Sequence, residues 1–198
     1  GHYGVYAFYP NKQITTGEGG VIVTSDEQAA NLMQALRNQG RAPNDTWLQH
    51  TFLGYNYRLD EMSAAIGRVQ MQRLPQLVQK RAQVAEWYNQ RLVEFAELEI
   101  PRLAATTTRT SWFVYVVRFT PHINRENIIR ALEARGIPAR PYFNPIHQQP
   151  FMIERFGYQP GDFPVTEDLG RRSLALPFSG VMTEGQVEKV CATLREVL

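Results

Sequence analysis

Two strand-like runs joined through glycines open the chain, and they constrain the fold more than anything else in it. Residues 4–9 are β-branched and aromatic and stop at Pro10. A second run, Val21-Ile22-Val23-Thr24, starts directly after Gly17-Glu18-Gly19-Gly20. Everything between them, Lys12 included, is therefore expected on a loop held by a sheet. Such a loop can aim a reactive group, and lysine is the side chain that condenses with a carbonyl. On spacing alone the plainer reading, a solvated turn lysine after Pro10-Asn11, stays ahead.

Composition narrows the class. With 198 residues, 43% hydrophobic and 20% charged, the chain is expected to be globular, in one or two domains. The 21 basic and 19 acidic residues are scattered, so neither nucleic acid nor an acidic membrane is an expected partner. No apolar run approaches the roughly 20 residues that span a bilayer, and no signal peptide opens the chain, so a cytoplasmic protein is expected. Cys191 is the only cysteine, which excludes an intrachain disulfide and a cysteine metal cluster. It is expected to be a buried, inert thiol, and no metal site is expected. Gly1-His2-Tyr3-Gly4 runs into a strand without a polar lead, as if the chain began inside something larger.

The organisation changes once. A helix is expected over residues 26–37, with Ser25 and Gln28 at capping-box spacing. After Gly54-Tyr55-Asn56-Tyr57-Arg58, the residues Leu59, Met62, Ile66, Val69 and Arg73 recur at helical spacing. Pro75 is expected to break or restart that helix, and a second helix follows to about Phe95. A domain junction is placed near Pro75: residues 1–75 as the end of a mainly parallel α/β sheet with its helices, residues 76–198 as a small α+β domain. In the second part, residues 111–119 read as a strand. Asn124 is expected to cap a helix ending at Gly136, residues 138–143 to be extended, and Thr183 with Gln186 to cap a final helix.

Five motifs in order carry a resemblance: Phe8-Tyr9-Pro10-Asn11-Lys12-Gln13, Thr15-Thr16-Gly17-Glu18-Gly19-Gly20, Arg37-Asn38-Gln39-Gly40-Arg41, Gly54-Tyr55-Asn56-Tyr57-Arg58-Leu59 and Pro145-Ile146-His147. Taken together they resemble the C-terminal portion of the DegT/DnrJ/EryC1/StrS aminotransferases, pyridoxal-phosphate enzymes that put amino groups on nucleotide-linked keto sugars. The resemblance implies an aspartate aminotransferase-like (fold type I) α/β architecture, pyridoxal 5'-phosphate as cofactor, glutamate or glutamine as amino donor with glutamate ahead, and a homodimer with shared active sites. It implies that Lys12 forms the Schiff base with the cofactor and shuttles the proton. Asn56 matches an asparagine that reaches the cofactor phosphate of the partner subunit. Arg58 and His147 match residues on the substrate side. Read without the resemblance, Asn56 is a residue tolerating an awkward turn, Arg58 a pairing arginine at a helix start, and His147 an exposed loop histidine.

Two departures accompany the resemblance. Ala7 stands where many members have a serine that holds the cofactor phosphate. The family's phosphate loop, its ring-stacking aromatic residue and its aspartate at the pyridine nitrogen all precede the lysine, so the 198 residues alone are expected to bind the cofactor weakly or not at all and to be inactive. Two other readings remain beside the aminotransferase. A cofactor-dependent sugar dehydratase is disfavoured by Lys12, since such relatives often carry histidine there. A non-catalytic regulatory or binding protein has no need of Lys12, Asn56 and Arg58 together.

Overall fold

The opening run forms β1 (Tyr3–Ala7), which pairs antiparallel with β2 (Gly20–Thr24), Tyr3 opposite Thr24 and Ala7 opposite Gly20. The computed structural model describes residues 1–198, which divide into two units, Gly1–Pro75 and Gln76–Leu198. All strand pairs in both units are antiparallel. The mainly parallel sheet expected for the first unit is thus not formed by these residues. They supply a hairpin, and a parallel pair requires a crossover connection that they lack.

α1 (Glu27–Arg37) is capped by Asp26, whose carboxylate accepts from the Ala29 N–H at 3.0 Å; the expected cap at Ser25 lies one residue too early. α2 (Glu61–Leu92) is one helix of 32 residues with Pro75 inside it, so the expected break does not occur. A proline within a helix removes one backbone hydrogen bond, and packing of the residues after it, Val78 to Leu92, offsets that loss. Within the first unit the apolar positions of α2 stay uncovered: Met62 is 79% exposed and Val69 53%. The hairpin is open on both faces too, with Val5 74% and its strand neighbour Tyr6 58% exposed.

The second unit contains the hydrophobic core. Its sheet runs β3 (Leu98–Glu99), β4 (Tyr115–Phe119), β6 (Ser173–Leu176), β5 (Arg140–Pro141) in spatial order. α3 (Arg125–Ala134), capped by Asn124 as expected, and α6 (Glu184–Val197), with the Thr183–Gln186 capping box as expected, enclose it with the second half of α2. Tyr88, Tyr115, Phe119, Leu132, Leu174 and Leu194 are wholly buried there. β4 is shorter than the expected 111–119 because Trp112 takes a left-handed backbone, φ +48°, that ends the extended run. α4 (Pro150–Phe156) and α5 (Pro164–Arg172) lead into β6. No helix is long and apolar enough to cross a membrane.

Candidate active site

The loop over residues 8–19 is held at both ends. The Phe8 N–H donates to Gly19 O at 2.9 Å, and Phe8 O accepts from the Thr16 N–H at 3.0 Å and from Thr15 Oγ1 at 2.8 Å. A turn closes on Lys12, whose N–H donates to Tyr9 O at 2.9 Å. The glycines serve this bracing. Gly19 has φ +131°, and a Cβ there would lie 2.8 Å from Leu59 Cδ1 and 3.0 Å from Thr16 Oγ1. A Cβ on Gly20 would lie 2.9 Å from Tyr6 O. The structure therefore places Lys12 on a braced loop of the first unit. It is half-buried, whereas the other two lysines, Lys80 and Lys189, are exposed.

Two motifs that lie apart in sequence are one structure. Residues 54–57 run against the end of α1: the Tyr55 N–H donates to Leu36 O at 2.7 Å, the Tyr57 N–H to Arg37 O at 2.8 Å, and the Gln39 N–H to Tyr55 O at 2.8 Å. Asn38 and Asn56 form an isolated antiparallel bridge. These bonds satisfy carbonyls that a helix end leaves open. The crossing needs glycine on both strands, since a Cβ on Gly40 would meet Phe52 O at 1.7 Å and one on Gly54 would meet Gly40 N at 2.2 Å. Gln39 and Gly40, at φ +63° and +81°, make the turn. Arg58 follows, its Nη1 donating to Asn38 Oδ1 at 2.6 Å. Tyr55 and Tyr57 stack with ring centres 5.1 Å apart. The first unit thus brings together Asn38, Asn56 and Arg58. The part played by Asn38 has no local signal in the sequence, because its partners are 18 and 20 residues away.

His147 lies in the second unit, on a single 3-10 turn, Ile146–Gln148. It is buried, contrary to the ordinary expectation for a loop histidine. Its Nε2 is 3.2 Å from Glu167 Oε1, and the Phe163 ring centre lies 4.6 Å from its own. Glu167 in turn accepts from the Gly161 N–H at 2.9 Å and the Phe163 N–H at 3.3 Å. Those backbone donors, Gly161 foremost, with His147 beside them, hold the Glu167 carboxyl below its usual range. The sequence reading missed Glu167, which is 20 residues from His147 with nothing to link the two.

The chain belongs to the DegT/DnrJ/EryC1/StrS aminotransferase family, whose profile matches residues 1–195. GDP-perosamine synthase of Caulobacter vibrioides is 34% identical over 200 residues, covering 100% of this chain and 53% of that protein. An Acidithiobacillus ferrooxidans protein named UDP-N-acetyl-3-dehydro-alpha-D-glucosamine 3-aminotransferase is 32% identical, covering 100% of this chain and 51% of that one. The structure of Helicobacter pylori PseC, an aminotransferase involved in the biosynthesis of pseudoaminic acid, superposes with a TM-score of 0.90 at 25% identity, covering 99% and 53% of the two chains. The chain therefore spans about half the length of the relatives it matches.

Proposed function

We propose that the protein containing this chain transfers an amino group to the keto carbon of a nucleotide-linked sugar, with pyridoxal 5'-phosphate as cofactor and glutamate as donor, in the cytoplasmic making of polysaccharide precursors. The observation that carries this reading is Lys12, the one half-buried lysine, on a loop bonded at both ends to the β1–β2 hairpin. The donor set fits the cofactor: an amine suits its carbonyl, and the exposed carboxamide of Asn56 suits its phosphate. When bound, the cofactor supplies the electron sink that lets an amino group leave one carbon and join another. Lys12 would hold the cofactor through its carbonyl carbon, and its amine, once free, would move a proton to and from the reacting carbon. Arg58, fixed by Asn38, presents a planar fork to an anionic part of the substrate. His147, clamped by Glu167, serves the substrate side by holding the turn that carries it.

In this reading Asn56 serves the partner subunit's cofactor, and the working unit is a homodimer with two shared sites. The uncovered apolar positions of α2 and the open hairpin faces support an assembly that buries them. The relatives' names and the family support the substrate class. Borohydride reduction of the full-length protein with its cofactor, followed by peptide mass spectrometry, tests the central assignment. The label is expected on Lys12, and Lys12→Arg is expected to lose it, since a guanidinium does not condense with the carbonyl. A label on another lysine, Lys80 or Lys189 among them, overturns it.

A further inference from the structure

The loop that carries Lys12 is tied by side chains as well as by backbone. Residues 8–19 belong to no helix or strand, so the direction of Lys12 depends on these ties. Thr15, half-buried, uses its hydroxyl twice: it donates to Phe8 O at 2.8 Å and accepts from the Gly17 N–H at 2.9 Å. The first bond crosses from one limb of the loop to the other, and the second holds the turn at Gly17, where φ is +87°. Phe8 O also accepts the Thr16 N–H, so both of its lone pairs are taken. The limb that leaves β1 and the limb that leads to β2 thus meet at one carbonyl. Thr16 anchors the base as the one buried polar side chain of the first unit. Its hydroxyl donates to Glu18 O, and its methyl lies against α2, where a Cβ on Gly67 would come 3.1 Å from Thr16 Cγ2. Lys12 stands between the two limbs, its N–H closing a turn on Tyr9 O.

We propose that Thr15 is a positioning residue for the reaction: its hydroxyl clasp, with Thr16 as the anchor beneath it, fixes the direction in which the Lys12 amine leaves the loop. The inference rests on the reading of Lys12 as the residue that holds the cofactor, and Thr15 acts through Lys12 alone. A misplacement of about 1 Å costs an aligned reaction roughly a hundredfold, and a loop that has lost its clasp samples such displacements. Serine keeps both the donor and the acceptor of Thr15, whereas alanine and valine have neither. Loss of two neutral hydrogen bonds is expected to open the loop at least about fivefold more often.

The test uses the full-length protein with Thr15→Ser, Thr15→Ala and Thr15→Val, read by peptide mass spectrometry. Serine and alanine both lose the methyl and differ only in the hydroxyl, while valine keeps the shape of threonine, so the comparison does not depend on one variant. With saturating pyridoxal 5'-phosphate and borohydride, the rate of labelling at Lys12 is expected to fall at least about fivefold in Thr15→Ala and Thr15→Val. Thr15→Ser is expected to restore it to within about twofold of wild type. In the cofactor-free protein, methylation of Lys12 by formaldehyde and cyanoborohydride is expected to rise in the alanine and valine variants, because an unclasped loop exposes a half-buried amine, while the exposed Lys80 and Lys189 keep their rates. Hydrogen exchange at the Tyr55 and Tyr57 amides, elsewhere in the first unit, is expected to be unchanged, which separates lost aim from lost fold. Alanine and valine variants that label as fast as wild type overturn the proposal. So does a serine variant that falls as far as alanine, or a loss of labelling accompanied by faster exchange at Tyr55 and Tyr57. If the wild-type label lands on another lysine while Lys12 methylation still rises in the alanine and valine variants and not in serine, the cofactor reading of Lys12 fails and the clasp stands.

Discussion

Gly40→Ala is the substitution that most directly separates the crossing from the residues it positions. Two costs apply. Gly40 sits at φ +81°, and a side chain in the left-handed region costs about 1–2 kcal/mol. The new Cβ would also meet Phe52 O at 1.7 Å and its carbonyl carbon at 2.6 Å, contacts made with backbone that cannot swing aside. Forcing extra volume into a packed place costs a further ~1–3 kcal/mol. The sum is about 2–5 kcal/mol, which corresponds to opening of the crossing roughly thirtyfold more often at the least. The amides of Gln39, Tyr55 and Tyr57 donate the bonds that would open, so hydrogen exchange followed at those amides in the full-length protein reads the effect locally. Gly17→Ala is the control: Gly17 is also left-handed, at φ +87°, yet has nothing within 4 Å of its Cβ position. It carries only the first cost, and carries it in another loop. Exchange at Tyr55 and Tyr57 that is no faster in Gly40→Ala than in Gly17→Ala refutes the argument that the close approach of Gly40 and Gly54 positions Asn56 and Arg58.

Three further outcomes are expected. Asn56→Ala in the full-length protein should weaken cofactor retention without changing subunit mass by light scattering, and an active protein that stays monomeric at assay concentration would contradict the shared site. Glu167 has a folded-state pKa depressed from 4.5, so its contribution is present above pH 4.5 and is lost as pH falls through the lower folded value; Glu167→Gln should flatten the acid limb of the stability profile of the second unit, and an unchanged limb would deny the carboxylate its role. Burial pushes the Cys191 thiol up to about 11, so maleimide labelling of the folded protein at pH 8 should be slow and should become fast only in denaturant.

What could be read in advance followed local chemistry. Asn124 and Thr183 announced helix starts because a cap acts within three residues, and Lys12 was placed on a loop because Pro10 and the glycines end and restart strands. Reading failed where the deciding contact was distant. Pro75 looked like a break, yet the helix continues, its second half packed into the core at Val84, Ala85, Tyr88 and Leu92. β6, in the interior of the second sheet, follows α5, which starts at Pro164 with no side-chain cap to announce it. In the candidate site the same division holds. Lys12, Asn56 and Arg58 stood out through motifs, whereas Asn38 and Glu167 gained their parts from partners about 20 residues away that only the fold supplies.

The core and the candidate chemistry occupy different halves of this chain. The buried apolar cluster runs from Val84 to Leu194, all in the second unit, while Lys12, Asn56 and Arg58 belong to a first unit in which Ala35 is the one buried hydrophobic residue. Heat capacity changes arise from apolar burial, so a calorimetric trace of this chain would be written almost wholly by the half that does not carry Lys12. For this chain, a higher melting point and a better-held Lys12 loop are then separate goals. Filling the small-domain core serves the first, and only substitutions around the hairpin loop and the glycine crossing serve the second.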